Sequence, residues 1–164
     1  MSRLRRPYLH SRFFFVTTNI RKGLRTFSDA EYGLLAESLI RMRQLVPVSI
    51  CGYCFMPDHV HMILFPQEQT TISDAIMRFK VAASRRIRPL RGEAFWQARF
   101  YDRALRTRGE YDEALDYIHM NPVRQGLSEV ASQWSWSSAR WFCERIGPVP
   151  VDEVRLPVSP DDRI

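Results

Sequence analysis

Cysteine is scarce in this chain: Cys51, Cys54 and Cys143 are the only three among 164 residues. An odd, sparse set with no secretory leader ahead of it gives no disulfide framework and no disulfide partner to expect, and it fits a reduced, cytoplasmic protein. Long hydrophobic runs are missing too. Phe13-Phe14-Phe15-Val16 is the only early apolar run, far short of the roughly 20 residues a helical span requires. The arginines before it read as a basic arm, so no membrane association is expected. No segment recurs at a fixed period, which argues against a solenoid.

What is present is a chain of 45% hydrophobic residues, long enough for one domain with a real core and too short for two comfortable ones. Its net charge is +6, and its arginines gather in stretches: Arg3, Arg5, Arg6 and Arg12 at the front, then the segment 78–91. Clustered cations point to an anionic partner, and nucleic acid fits the pattern best; a solvated basic surface is the plain alternative.

Residues 13–18 read as a strand by their aromatic and β-branched content, followed by a polar turn over 19–26. Ser28 opens a helix, with Glu31 completing a capping box and Tyr32, Leu35, Ala36, Leu39 and Met42 forming one apolar stripe. Residues 48–56 and 60–65 are apolar strands joined by Pro57-Asp58, expected to form a hairpin in the middle of the sheet. A second amphipathic helix covers 71–87, capped by Thr71 and Asp74, with Arg78, Lys80, Arg85 and Arg88 on its polar face. Residues 95–105 suit a strand or extended segment beside the site. A third helix covers 110–120, stopped by Pro122 and Gly126. The order predicts an α+β fold, an antiparallel sheet covered on one face by helices. The domain plan is a basic N-terminal arm over 1–11, a single domain over 12–146, and a proline-rich mobile tail over 147–164.

The chemistry concentrates in Met56-Pro57-Asp58-His59-Val60-His61-Met62-Ile63-Leu64-Phe65. Alternation puts both imidazoles on one strand face, where they can share a cation that keeps open positions for an oxygen ligand and a phosphate. Histidines in an otherwise apolar strand need partners or a cation to offset burial. Two core histidines satisfied by hydrogen bonds are the structural alternative.

Helical phase singles out one tyrosine in the third helix. Tyr111, Ala114, Leu115 and Ile118 form the buried stripe, so Tyr111 belongs to the core, whereas Tyr117 lies about 100° away on the side that carries Glu113 and Asn121. Asn121 sits one turn after Tyr117 and offers an amide oxygen to a metal; equally, a residue before proline can be placed there for turn chemistry. A phenol attacking phosphorus needs a cation to withdraw charge, and a covalent phosphotyrosine conserves the energy of the cut bond for rejoining. Cutting and joining DNA is the natural use of such a site.

With His59-Val60-His61 and Tyr117-Ile118-His119-Met120-Asn121-Pro122-Val123-Arg124-Gln125-Gly126-Leu127 in view, the chain resembles the REP-associated tyrosine transposases, bacterial relatives of the single-tyrosine HUH transposases. Phe95-Trp96-Gln97, Tyr101-Asp102-Arg103 and Trp134-Ser135-Trp136-Ser137-Ser138 extend the resemblance, which runs from Arg5 to about Trp141. It implies a ferredoxin-like HUH fold, a divalent metal (Mg²⁺ or Mn²⁺) held by His59, His61 and Asn121, and Tyr117 as nucleophile. It further implies cleavage of single-stranded DNA at REP-type hairpins, leaving a 5′-phosphotyrosine and a free 3′-hydroxyl, by a nucleoid-associated monomer or dimer. The arm residues Arg3, Arg5 and Arg6 and the helix residues Arg78, Lys80, Arg85 and Arg88 would hold the DNA backbone, and an aromatic such as Trp96 would stack on unpaired bases, although core packing suits each tryptophan better. Three alternatives stand beside this: a domesticated, catalytically weak hairpin-binding protein, a zinc site built from Cys51, Cys54, His59 and His61, and hydrolysis by metal-bound water. Strand phase weakens the zinc site, because residues three apart face opposite ways unless a bulge intervenes. Glu113, His119 and Asp58 are left out of the reacting set.

Overall fold

The computed structural model describes residues 12–154; Arg3, Arg5 and Arg6 and the end of the tail lie outside the described residues. The elements are β1 (Phe13–Asn19), α1 (Asp29–Leu45), β2 (Val48–Phe55), β3 (His59–Pro66), α2 (Ile72–Arg91), β4 (Tyr101–Leu105), α3 (Arg108–Arg124) and α4 (Ala139–Glu144), with a 3₁₀ turn at Ala131–Gln133. The four strands pair antiparallel in the order β2-β3-β1-β4. A βαββαβ unit in that order is the ferredoxin-like fold, and the α+β expectation holds. The hairpin is not central, however: β3 is, while β2 forms one edge.

Period-two alternation assigns the two faces of the sheet. Phe14, Val16, Tyr53, Phe55, Val60, Met62 and Leu64 join the residues of α1 and α2 in one core cluster. Phe13, Phe15, Cys51, Cys54, Met56 and Ile63 join Ala114 and Ile118 of α3 in a second. Helices therefore cover both faces rather than one, and α3 packs on the side opposite α1 and α2. Both capping boxes form as expected, Ser28 with Glu31 and Thr71 with Asp74, each worth about 1 kcal/mol.

Two bulky elements approach at Gly52. An added Cβ there would stand 2.8 Å from Leu115 Cδ1 and 3.3 Å from Ile118 Cδ1, so the missing side chain lets α3 lie close on β2. Beside it the β2–β3 register shifts between Ile50 and Gly52. The bulge puts Cys51 on the same face as Cys54, which corrects the expectation that the two thiols oppose each other.

The helix α3 starts at Thr107, whose side chain accepts from Glu110 N, and it runs through Pro122 to Arg124. Pro122 therefore does not stop it. The stop comes later: Gly126 at φ 70° carries the left-handed turn, with Leu127 N donating to Pro122 O at 2.8 Å and Gly126 N to Val123 O at 3.0 Å, a Schellman end.

Of the tail expected to be mobile, the described part, 147–154, is anchored to β2 instead. Val149 is fully buried, and the Tyr53 hydroxyl both donates to Val149 O and accepts from Val149 N at 3.1 Å. Asp152 accepts from Arg43 and from Ile50 N at 2.8 Å, while Asp152 N donates to Ile50 O. With Phe55 N donating to Trp136 O and Ser138 N to Tyr53 O, the segments 136–138 and 149–152 satisfy the outer edge of β2, a device that blocks edge pairing with another chain.

Candidate functional site

His59 and His61 project from β3 toward the α3 side of the sheet, where they meet the last turns of that helix. His59 Nε2 and His61 Nε2 stand 3.0 Å apart, and the Asn121 side-chain amide lies 2.9 Å from His61 Nε2. Each imidazole is fixed from behind. His59 Nδ1 contacts Asp58 Oδ1 at 2.6 Å, and His61 Nδ1 contacts Thr17 Oγ1 at 2.8 Å. A carboxylate oxygen accepts, so Asp58 takes the Nδ1 proton of His59 as a hydrogen bond and turns Nε2 toward His61. The Asn121 amide meets His61 at the same nitrogen. The two Nε2 atoms converge at 3.0 Å, close enough to bind one shared cation.

His61 is almost wholly buried. Burial pushes its pKa down to about 3, the neighbouring His59 adding to the effect and Asp58 opposing it, so it is neutral at ordinary pH. Tyr117 stands at the cleft mouth, 44% exposed, with its ring 5.5 Å from that of His61 and 5.9 Å from that of Phe15. Arg124 lies 5.3 Å over the Tyr117 ring. The cleft, about 560 Å³, has Phe15, Thr17 and His61 as its floor, Tyr101 and Arg103 of β4 on one wall, and Glu113, Ala114 and Tyr117 of α3 on the other.

The four residues singled out from sequence, His59, His61, Tyr117 and Asn121, thus meet at one place. Asn121 is a buried member of α3 rather than a turn residue beyond its end, because the helix persists past Pro122. Thr17, Tyr101 and Arg103 were missed. Thr17 follows Phe15 by two on the same strand face, but only the pairing of Thr17 with His61 and Tyr101 reveals that they share the site.

The basic residues divide. Arg78, Arg85 and Arg88 are exposed on the outer face of α2, across the sheet from the histidines, where Arg85 and Arg88 line a shallow groove of about 480 Å³ with Ser84, Pro89 and Gly92. Lys80 differs: its ammonium donates to Gln97 O at 2.6 Å, and burial lowers its pKa, so it ties the 95–99 segment to α2 instead of facing solvent. Trp96 packs against Phe27, Phe79 and Phe95, not outward. His119 contacts Ser138 Oγ at 2.8 Å, away from the cleft.

Cys51 and Cys54 are free thiols whose pKa values burial raises. Their sulfurs contact Ser49 O and Met56 Sδ, and among the described residues no three His, Cys, Asp or Glu side chains gather as a metal cluster. The zinc arrangement is therefore not assembled. No helix among the described residues is long and apolar enough to cross a membrane.

A ferredoxin-like sheet carrying His-x-His on a central strand, faced by a helix with a tyrosine and an amide one turn apart, defines the HUH class of single-tyrosine proteins. The chain belongs to the IS200-like transposase family, whose model matches residues 8–121. A relative from Escherichia coli strain K12, a REP-associated tyrosine transposase, is 28% identical over 153 residues, spanning 93% of this chain and 90% of that one. A solved structure of a REP-associated tyrosine transposase bound to a REP hairpin superposes with a TM-score of 0.75 at 26% identity, covering 100% of this chain and 99% of that one. The resemblance read from the motifs is thereby borne out.

Proposed function

We propose that this protein is a metal-dependent single-stranded DNA endonuclease and strand transferase acting at REP-type hairpins through a 5′-phosphotyrosine on Tyr117. The observation that carries this is the convergence on His61 Nε2 of His59 Nε2 at 3.0 Å and the Asn121 amide at 2.9 Å, next to a half-exposed tyrosine. Two imidazoles backed by Asp58 and Thr17 suit a divalent cation, and Asn121, with its amide turned to present Oδ1, would be the third donor. Mg²⁺ or Mn²⁺ bound there would withdraw charge from the scissile phosphate.

The remaining work belongs to the side chains. Asp58 and Thr17 hold the imidazoles in register. Tyr117 attacks phosphorus with its phenolic oxygen, the bond to the 3′-oxygen breaks, and the phenolic proton is balanced by the one that 3′-oxygen gains on leaving as a hydroxyl. Arg124, stacked over the Tyr117 ring, holds that ring in place at the cleft mouth. Reversal, with a 3′-hydroxyl attacking the phosphotyrosine, rejoins the strand. Arg78, Arg85 and Arg88, together with the arm, would hold hairpin backbone outside the cleft in a salt-sensitive, sequence-independent way.

The test is a denaturing gel of end-labelled single-stranded DNA carrying a REP-type hairpin, with Mn²⁺ or Mg²⁺. A covalent adduct on the fragment with the new 5′ end is expected with the wild type and is lost in Tyr117→Phe. Cleavage that survives Tyr117→Phe without an adduct would make water the nucleophile, and binding without cleavage would leave a hairpin-binding protein.

A further inference from the structure

The β4 wall of the cleft has no assigned task. Tyr101 pairs with Thr17 and Arg103 with Phe15 across the β1–β4 ladder, so both side chains stand on the α3 side of the sheet, about 7 Å apart along the strand. Tyr101 is 55% exposed, with its ring edge-on to Phe15 at 6.3 Å. The Arg103 side chain is exposed, and its guanidinium makes no hydrogen bond or ion pair with another described residue. Glu113, on the facing wall, is likewise unpaired among the described residues, so the two opposite charges border the cleft without closing it.

A solvent-facing ring next to an unpaired guanidinium matches the two parts of a nucleotide, a flat base and a phosphate. A cleft of about 560 Å³ is of the size that holds a small ligand. Glu113 offers no cation on the α3 wall, so a phosphate flanking the one that Tyr117 attacks finds its opposite charge on β4, at Arg103. An arginine on an edge strand also guards against sheet-to-sheet association, but that role requires neither the aromatic neighbour nor the position opposite Tyr117.

We propose that Tyr101 and Arg103 form a subsite for the unpaired nucleotide beside the scissile phosphate, Tyr101 stacking on its base and Arg103 holding its phosphate. The proposal rests on the nuclease function above and adds where the single-stranded flank lies.

The experiment is fluorescence anisotropy in a Tyr117→Phe background, which cannot form the adduct. Three labelled probes are used: a REP-type hairpin with a thymidine flank, the same hairpin without it, and oligothymidine alone. Stacking tolerates any base, so thymidine suffices. Tyr101→Ala is expected to weaken binding of the flanked hairpin and of oligothymidine about tenfold, leave the bare hairpin unchanged, and be rescued by Tyr101→Phe. Arg103→Ala is expected to weaken the same two probes and flatten the salt dependence of oligothymidine binding by about 0.7 in log–log slope. Equal losses on flanked and bare hairpins, no loss on either, or a Phe variant as weak as Ala would overturn the subsite. If the gel assay yields no adduct while oligothymidine binding still falls in Tyr101→Ala, the nuclease function fails and the subsite stands.

Discussion

Burial that moves the His61 pKa down to about 3 delivers the imidazole to neutral pH as a free base with a lone pair to give, and this changes what its neighbours are for. Thr17 and Asp58 do not tune protonation so much as choose which nitrogen faces the cleft. Removing such a partner typically lowers metal affinity 10- to 100-fold, in round numbers. Asp58→Ala is accordingly expected to weaken Mn²⁺ binding by roughly that factor in calorimetric titration, with melting temperature little changed because Asp58 is exposed. Unchanged affinity would show that something else orients His59. At this scale the sequence was informative wherever one element's own period decided the matter. His59 and His61 share a face by alternation, and Tyr117 leaves the buried stripe by helical phase. It assigned no task in the site to Thr17, Tyr101 and Arg103, whose place depends on which strands pair and in what register. Lys80 misled for the same reason: its position on a helix does not show that the 95–99 segment folds back over it, whereas Trp96 packs in the core as expected.

Elements are positioned by contacts that no local rule announces. The capping boxes of α1 and α2 were legible because each is complete within four residues, whereas the β2 bulge that reorients Cys51 was not. Pro122 was expected to break α3, yet the helix continues for two residues and ends on Gly126, so Asn121 keeps helical phase with Tyr117. The separation of α3 from the sheet is set by Gly52. Gly52→Ala should cost about 1 kcal/mol, because the nearest atoms are the ends of flexible Leu115 and Ile118 side chains that can shift a few tenths of an ångström. Gly52→Val should cost about 3 kcal/mol and lift the helix. Since α3 carries Tyr117 and Asn121, Mn²⁺ affinity is expected to fall far more steeply from Ala to Val than stability measured by urea unfolding. Equal steps in both would mean that the site tolerates displacement of its helix.

Across the whole molecule, the two crossover helices are locked by one buried carboxylate. Glu31 accepts from both Arg25 and Arg91 and from Ser28 N at 2.8 Å, and Arg91 itself lies against the Phe27 and Phe95 rings. Burial alone would raise the Glu31 pKa, but the hydrogen bonds from Arg25 and Arg91 outweigh it and hold the group at about 2, below its ordinary 4.5. A carboxylate depressed on folding stabilises fully above its unfolded pKa and loses that contribution as pH falls toward the folded value. The difference corresponds to about 3 kcal/mol, disappearing between about pH 5 and 2. Urea midpoints measured at pH 7, 4 and 3 should therefore decline for the wild type. In Glu31→Gln the decline should be shallower, from a start already lowered by about 3 kcal/mol through the stranded Arg91. Parallel declines would assign acid sensitivity to other carboxylates.

The closure of β2 by residues 136–138 and 149–152 has a consequence in time as well as in space. Ile50 waits for Asp152, a partner 102 positions later in the chain, so a nascent molecule on the ribosome carries a finished hairpin whose outer rung of amides and carbonyls is still bare. Until residues 149–152 emerge, that strand is free to take a neighbour's strand in place of its own cover. The segment that completes the fold is thus also the one that ends the chain's exposure to its own copies.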